Sequence, residues 1–87
     1  MPTEHELKVL PVFFGGLLDG TKTFEIRERR DRKFEVGDAL YLREWDPNTE
    51  RYTGFSVFRR VIYVADLESI GLPGYVAMSI VPVEETF

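Results

Sequence analysis

Gly20-Thr21-Lys22-Thr23-Phe24-Glu25-Ile26-Arg27 decides the reading of this chain. Before it lies an apolar run with helical spacing; after it comes a dense run of charge. Gly20 is a natural left-handed cap for the helix. From Thr23 the residues alternate as a strand does. Phe24 and Ile26 then point one way, and Thr23, Glu25 and Arg27 the other. A hydroxyl, a carboxylate and a guanidinium stand in one row, with the Lys22 ammonium at its mouth. Same-face residues on a strand lie roughly 7 Å apart at the backbone, a gap that an arginine spans. The row is either an ion-paired strand face, worth about 0–1 kcal/mol where exposed, or the floor of a polar site. In a site, Arg27 would hold a phosphate or carbonyl oxygen, and Glu25 would accept from an amine or activate water. Lys22 is either a solvated charge at the helix end or a catalytic lysine, and the residues alone leave both open.

Upstream, His5-Glu6-Leu7-Lys8-Val9-Leu10 alternates and predicts a strand, with His5, Leu7 and Val9 on one face and Glu6 and Lys8 on the other. Pro11 is well placed as the first residue of a helix. The run Pro11 to Leu18 carries two i,i+4 apolar pairs, Phe13 with Leu17 and Phe14 with Leu18, expected on one face. Gly15 and Gly16 weaken that helix by roughly 1 kcal/mol each relative to alanine. They also leave its backbone open to close approach.

Downstream, the second strand is expected over Thr23 to Glu28, followed by a charged connection from Arg29 to Glu35. Val36-Gly37-Asp38 reads as a turn. Ala39 to Trp45 reads as a third strand with Leu40 and Leu42 inward. Asp46-Pro47-Asn48-Thr49-Glu50 is a hairpin loop. Tyr52 to Ala65 is a long strand rich in Phe, Val, Ile and Tyr, whose alternation falters around Arg59-Arg60 and suggests a bulge or a change of face there. Asp66 to Gly74 is a loop with one helical turn at Leu67 to Ile70. Tyr75 to Val81 is the last strand, ended by Pro82, with a loose acidic tail to Phe87. The pattern predicts an α+β fold: a small, mostly antiparallel five-stranded barrel with one helix after the first strand.

The 87 residues predict a single domain over 1–87. An apolar fraction of 44% and a charged fraction of 30% are those of an ordinary globular chain. With no cysteine, disulfide scaffolds, thiolate zinc sites and cysteine nucleophiles are excluded. No apolar stretch has membrane-spanning length, and a cytoplasmic protein without a membrane partner is expected. The net charge of -4 argues against coating nucleic acid by charge alone. The charge is uneven, however. Six of the eleven Lys and Arg residues lie between Lys22 and Lys33, among only three acids; from Asp66 onward there are four acids and no base. A basic side on an acidic molecule can still receive a phosphate or a short nucleic acid segment.

Lys8 is an exposed strand lysine unless its strand pairs beside the second. His5, alone on an apolar face, is more often a hydrogen-bonded core or edge histidine than a ligand. Arg29-Arg30-Asp31-Arg32-Lys33 is either a solvated loop or a clamp on a phosphate backbone. Trp45, Tyr41 and Tyr52 flank the hairpin, and an exposed one could stack on a base. No set of residues has metal-ligand spacing and no glycine loop for a nucleotide cofactor occurs, so neither metal nor cofactor is expected.

The Gly20 to Arg27 stretch, followed by Val36-Gly37-Asp38 before a strand, resembles the ASCH domain (activating signal cointegrator homology), of the PUA-like superfamily. The opening His5-Glu6-Leu7-Lys8, the hairpin around Glu44-Trp45-Asp46 and the closing Gly74-Tyr75-Val76 resemble a small single-domain bacterial and phage branch whose function is not established. The resemblance spans nearly the whole chain. It implies a PUA-like barrel and RNA or nucleotide binding in a cleft between helix and barrel, with Lys8, Lys22, Thr23, Glu25 and Arg27 as ligand-binding residues. Some small relatives hydrolyse acetylcytidine with a lysine, a threonine and a glutamate. Lys22 matches that lysine. Glu25 stands where those enzymes carry their threonine, Thr23 matches an earlier threonine, and no residue here aligns with their glutamate. Other relatives have been linked to RNA cleavage. The expectation is an RNA- or nucleotide-binding module. The alternatives are a nucleoside hydrolase or ribonuclease using Lys22 and Glu25, and a protein-interaction barrel; whether the chain is an enzyme stays open.

Overall fold

Pro11 ends one strand and starts the helix, and Gly20 ends the helix with φ at +83°, where a side chain would be strained. That punctuation sets the chain's order in the computed structural model, which describes residues 2–83. The elements are β1 (Glu4–Val9), α1 (Pro11–Asp19), β2 (Phe24–Glu28), β3 (Ala39–Asp46), β4 (Arg51–Asp66), a 3-10 turn (Leu67–Ile70) and β5 (Tyr75–Pro82). Residues 84–87 of the expected tail lie outside the described residues.

The strands form one curled sheet in the order β1-β3-β4-β5-β2, a half-barrel. Three pairings are antiparallel, but β1 runs parallel to β3, with His5 beside Leu40 and Leu7 beside Leu42. The sheet is therefore mixed. Turn signals alone did not foretell this, because β1 reaches β3 by a crossover that contains α1 and β2, as a parallel pair requires. Nor does the sheet close by a ladder. β1 and β2 are its two edges, and they meet where the Arg27 Nη2 on β2 donates to the backbone oxygen of Lys8 on β1 at 2.9 Å.

The concave face holds the core. Leu40 and Leu42 of β3, Val61 of β4 and Met78 and Ile80 of β5 pack there against Phe14 and Leu17 of α1. The helix does not bury both of its i,i+4 pairs on one face. Phe14 and Leu17 are sealed, while Phe13 and Leu18 are 52% and 58% exposed.

The long strand β4 serves two neighbours, pairing with β3 along its first part and β5 along its second. Its bulge against β5 lies at Ile62, between the pairs Val61–Ile80 and Tyr63–Ser79, and not at Arg59-Arg60. The inserted residue puts Ile62 and Tyr63 both outside and returns Val64 to the core. Arg59 occupies an inward position for another reason: its Nη2 donates to the Leu17 carbonyl at 2.6 Å, near the C-terminal end of α1.

Candidate functional site

Two turns aim Lys22. Asp19 Oδ1 accepts from the Thr21 amide at 2.9 Å and the Thr21 hydroxyl at 2.6 Å. Those bonds, the hydroxyl's first, hold the exposed Asp19 carboxyl below its usual pKa. The Lys22 amide then donates back to the Gly16 carbonyl at 2.9 Å. The chain can come so close only because residue 16 has no side chain: a Cβ there would stand 2.9 Å from the Lys22 Cβ.

β2 next faces Glu25 and Arg27 inward, beside Met78 and Val76 of β5. Glu25 is only 3% exposed. One of its oxygens pairs with the Lys22 ammonium, and the other accepts from Arg27 Nε at 3.0 Å. Lys22 Nζ also donates to the Phe24 carbonyl at 2.8 Å and lies 4.9 Å from the centre of the Phe24 ring. Arg27 bonds with Nε and Nη2, leaving Nη1 unbonded among the described residues. A buried carboxylate is thus satisfied by two largely buried cations, the condition under which burying it is tolerated.

The three residues converge beside a cavity of about 360 Å³, lined by Lys8, Val9, Leu10, Phe13, Lys22, Phe24, Glu25, Ile26 and Arg27. This lies within the roughly 300–1,000 Å³ typical of small-ligand sites. It occupies the seam between the two sheet edges. Its floor is ionic, while its rim is apolar and exposed. Phe24 and Ile26 are 49% and 53% exposed. Alternation assigned them to the face opposite Glu25, and this is correct, but β2 is an edge strand and the cavity wraps around it. The exposed rim residues Leu10 and Phe13 were likewise not singled out as site residues. The signal for Phe13 was the helix itself, nine residues long and too short to bury every large side chain it carries.

Of the five expected ligand residues, Lys22, Glu25 and Arg27 come together. Lys8 lines the same cavity, but its ammonium turns to the convex face and sits 3.9 Å above the Trp45 ring. Thr23 is exposed and does not line the cavity; its carbonyl accepts from the Ile80 amide at 3.0 Å.

His5 belongs to another constellation. Its Nε2 lies 2.8 Å from Asp38 Oδ2, both side chains are buried, and the ring packs 4.5 Å from Phe34. Asp38 also accepts from the amides of Thr3 at 3.0 Å and Glu35 at 2.9 Å. Burial by itself would raise the Asp38 carboxyl. The Thr3 amide, the His5 ring and the Glu35 amide together outweigh it, and the net shift is downward. This cluster ties the start of the chain to the turn before β3. Among the described residues no three of His, Asp and Glu are grouped to hold a metal ion. No helix there is long and apolar enough to cross a membrane.

Residues 4–80 match a family described as "Domain of unknown function (DUF3850)". The chain is also 40% identical over 63 residues to the "Uncharacterized 12.9 kDa protein in GpA 3'region" of Escherichia phage P2. That match covers 72% of this chain and 55% of the phage protein, so the chain spans about half the length of this relative.

Proposed function

From the premise that the chain belongs to the DUF3850 family, we propose that it is an ASCH-type, PUA-like module that binds RNA or a nucleotide in the seam between β1 and β2. The observation that carries this reading is the cavity itself, with Lys22, Glu25 and Arg27 as its floor and Leu10, Phe13, Phe24 and Ile26 around it. A nucleobase needs that combination: apolar or aromatic contact with its faces, and donors and acceptors for its edge. The Arg27 Nη1 and the exposed part of Lys22 donate to a carbonyl or phosphate oxygen. The cluster is held together by bonds within the chain, so it is preorganised and little side-chain entropy is lost on binding.

The rival hydrolase reading needs Glu25 to take a proton from water. Both of its oxygens already accept from cations, which suits a positioning carboxylate better than a general base. Binding therefore leads. Ribonucleosides and short single-stranded RNAs, titrated at low salt, should bind tighter than about 1 mM. Arg27→Ala should weaken them by about 10- to 100-fold, the equivalent of one charged hydrogen bond. No binding at millimolar protein, or an unchanged Kd in Arg27→Ala, would end the proposal.

A further inference from the structure

A second cavity, of about 420 Å³, adjoins the first and is lined by Leu7, Phe34, the end of β2 at Arg27 and Glu28, and the loop from Arg29 to Arg32. Arg27 lines both. Its Nε faces Glu25 and its Nη2 reaches Lys8, so the guanidinium is fixed in the partition between the two hollows. The second lining holds four arginines (Arg27, Arg29, Arg30 and Arg32) against two acids (Glu28 and Asp31), an excess of two positive charges. Arg30 meets Glu28 at 3.8 Å. The Arg29 and Arg32 side chains form no hydrogen bond or ion pair among the described residues; both line the hollow, with the Arg32 guanidinium 5.7 Å from the centre of the Phe34 ring. The loop is itself ordered by the chain: the Arg29 amide donates to the Gly74 carbonyl at 2.8 Å and the Arg32 amide to the Arg29 carbonyl at 2.9 Å. Arg30 takes the left-handed conformation at φ 52° that makes this turn tight.

We infer that this second hollow is a phosphoryl site, and that the ligand whose ring occupies the first cavity carries its phosphate across Arg27 into the arginine loop. The inference rests on the reading of the first cavity as a base site. Its chemistry is that of arginine forks on a phosphate, in which planar N–H pairs match two oxygens at once. A mononucleotide and a link of a nucleic acid strand offer the same group. The excess of two charges suits one phosphate and not a long polyanionic track, in agreement with the acidic net charge of the molecule.

The test is a titration of the isotope-labelled chain with ribonucleosides, their 5′-monophosphates and trinucleotides, read by amide shifts and Kd. The monophosphate should bind at least about tenfold tighter than its nucleoside and should move the amides of 29–34 as well as those of 24–27. Arg29→Gln with Arg32→Gln should remove that gain and leave nucleoside affinity unchanged; neither side chain has a hydrogen bond or ion pair among the described residues, and Arg32 gives up only its approach to the Phe34 ring, so the fold should survive. A trinucleotide tighter than the monophosphate identifies a strand as the source, and equal affinity identifies a mononucleotide; either supports the site. Equal Kd for nucleoside and monophosphate, with 29–34 silent, overturns this inference and leaves the base site standing. Weakening of the nucleoside itself by the double substitution also overturns it. Silence of both regions with every ligand overturns the two readings together.

Discussion

At Gly16 a Cβ would collide with the stem of Lys22, whereas at Gly15 nothing lies within 4 Å. Adjacent glycines in one helix therefore have different meanings. Gly15→Ala should stabilise the protein by up to about 1 kcal/mol through helix propensity. Gly16→Ala should forgo that gain and weaken ligand binding, because the displaced stem carries the ammonium away from Glu25. Denaturant unfolding and ligand titration on the two variants separate these outcomes. Asp38 makes a prediction of a different kind. Its carboxyl titrates lower in the folded chain than in the unfolded one, so it adds stability above the unfolded value of about 3.9. That contribution drains away as pH falls through the lower, folded value. Asp38→Asn should cost about 2–3 kcal/mol at neutral pH by turning one acceptor into a donor among donors. Stability measured from pH 5 downward should fall less steeply in that variant than in the native chain. His5 was legible as a hydrogen-bonded core residue, but Asp38 was read only as part of a turn. One position in sequence cannot tell that a turn carboxylate faces a histidine thirty-three residues away.

Helix α1 has no basic residue in its last turn. The charge that answers its C-terminal dipole comes from β4, through Arg59 on the Leu17 carbonyl. Arg59→Ala should lower stability by about 1 kcal/mol, seen as a shift of the urea midpoint with an unchanged slope. The same arginine explains why the alternation of β4 falters ahead of the real bulge at Ile62. An inward polar residue and an inserted residue disturb the pattern alike, and only the pairing to β5 separates them. Element boundaries elsewhere were close to legible, because Pro11, Gly20, Pro47 and Gly74 mark them with backbone chemistry. The orientation of the helix was not. Phe13, Phe14, Leu17 and Leu18 are equally apolar, and the choice of which pair to bury belongs to the sheet beneath.

For the whole molecule, five strands and one helix were legible, as was the shared face of Glu25 and Arg27, though Thr23 of the same row does not line the cavity. The direction of β1 was not, because parallel pairing depends on where the intervening segment can lie, and no local residue encodes that. Nor was the second hollow, since Arg29 to Lys33 reads the same whether it waves in solvent or rims a cavity. The ladder also has a consequence in time. β2, which carries Glu25 and Arg27, pairs along its length with β5 near the end of the chain, and β1 with β3 across the crossover. Such distant pairings are slow to find. In a chain growing from its N-terminus, the strand bearing the charged row has no ladder partner until Tyr75–Pro82 has been made. The floor of the cavity is thus among the last parts to be assembled. On the proposed reading, a chain that stops short of β5 should fail to capture the ligand, so capture would report that Tyr75–Pro82 has been made and has paired with β2.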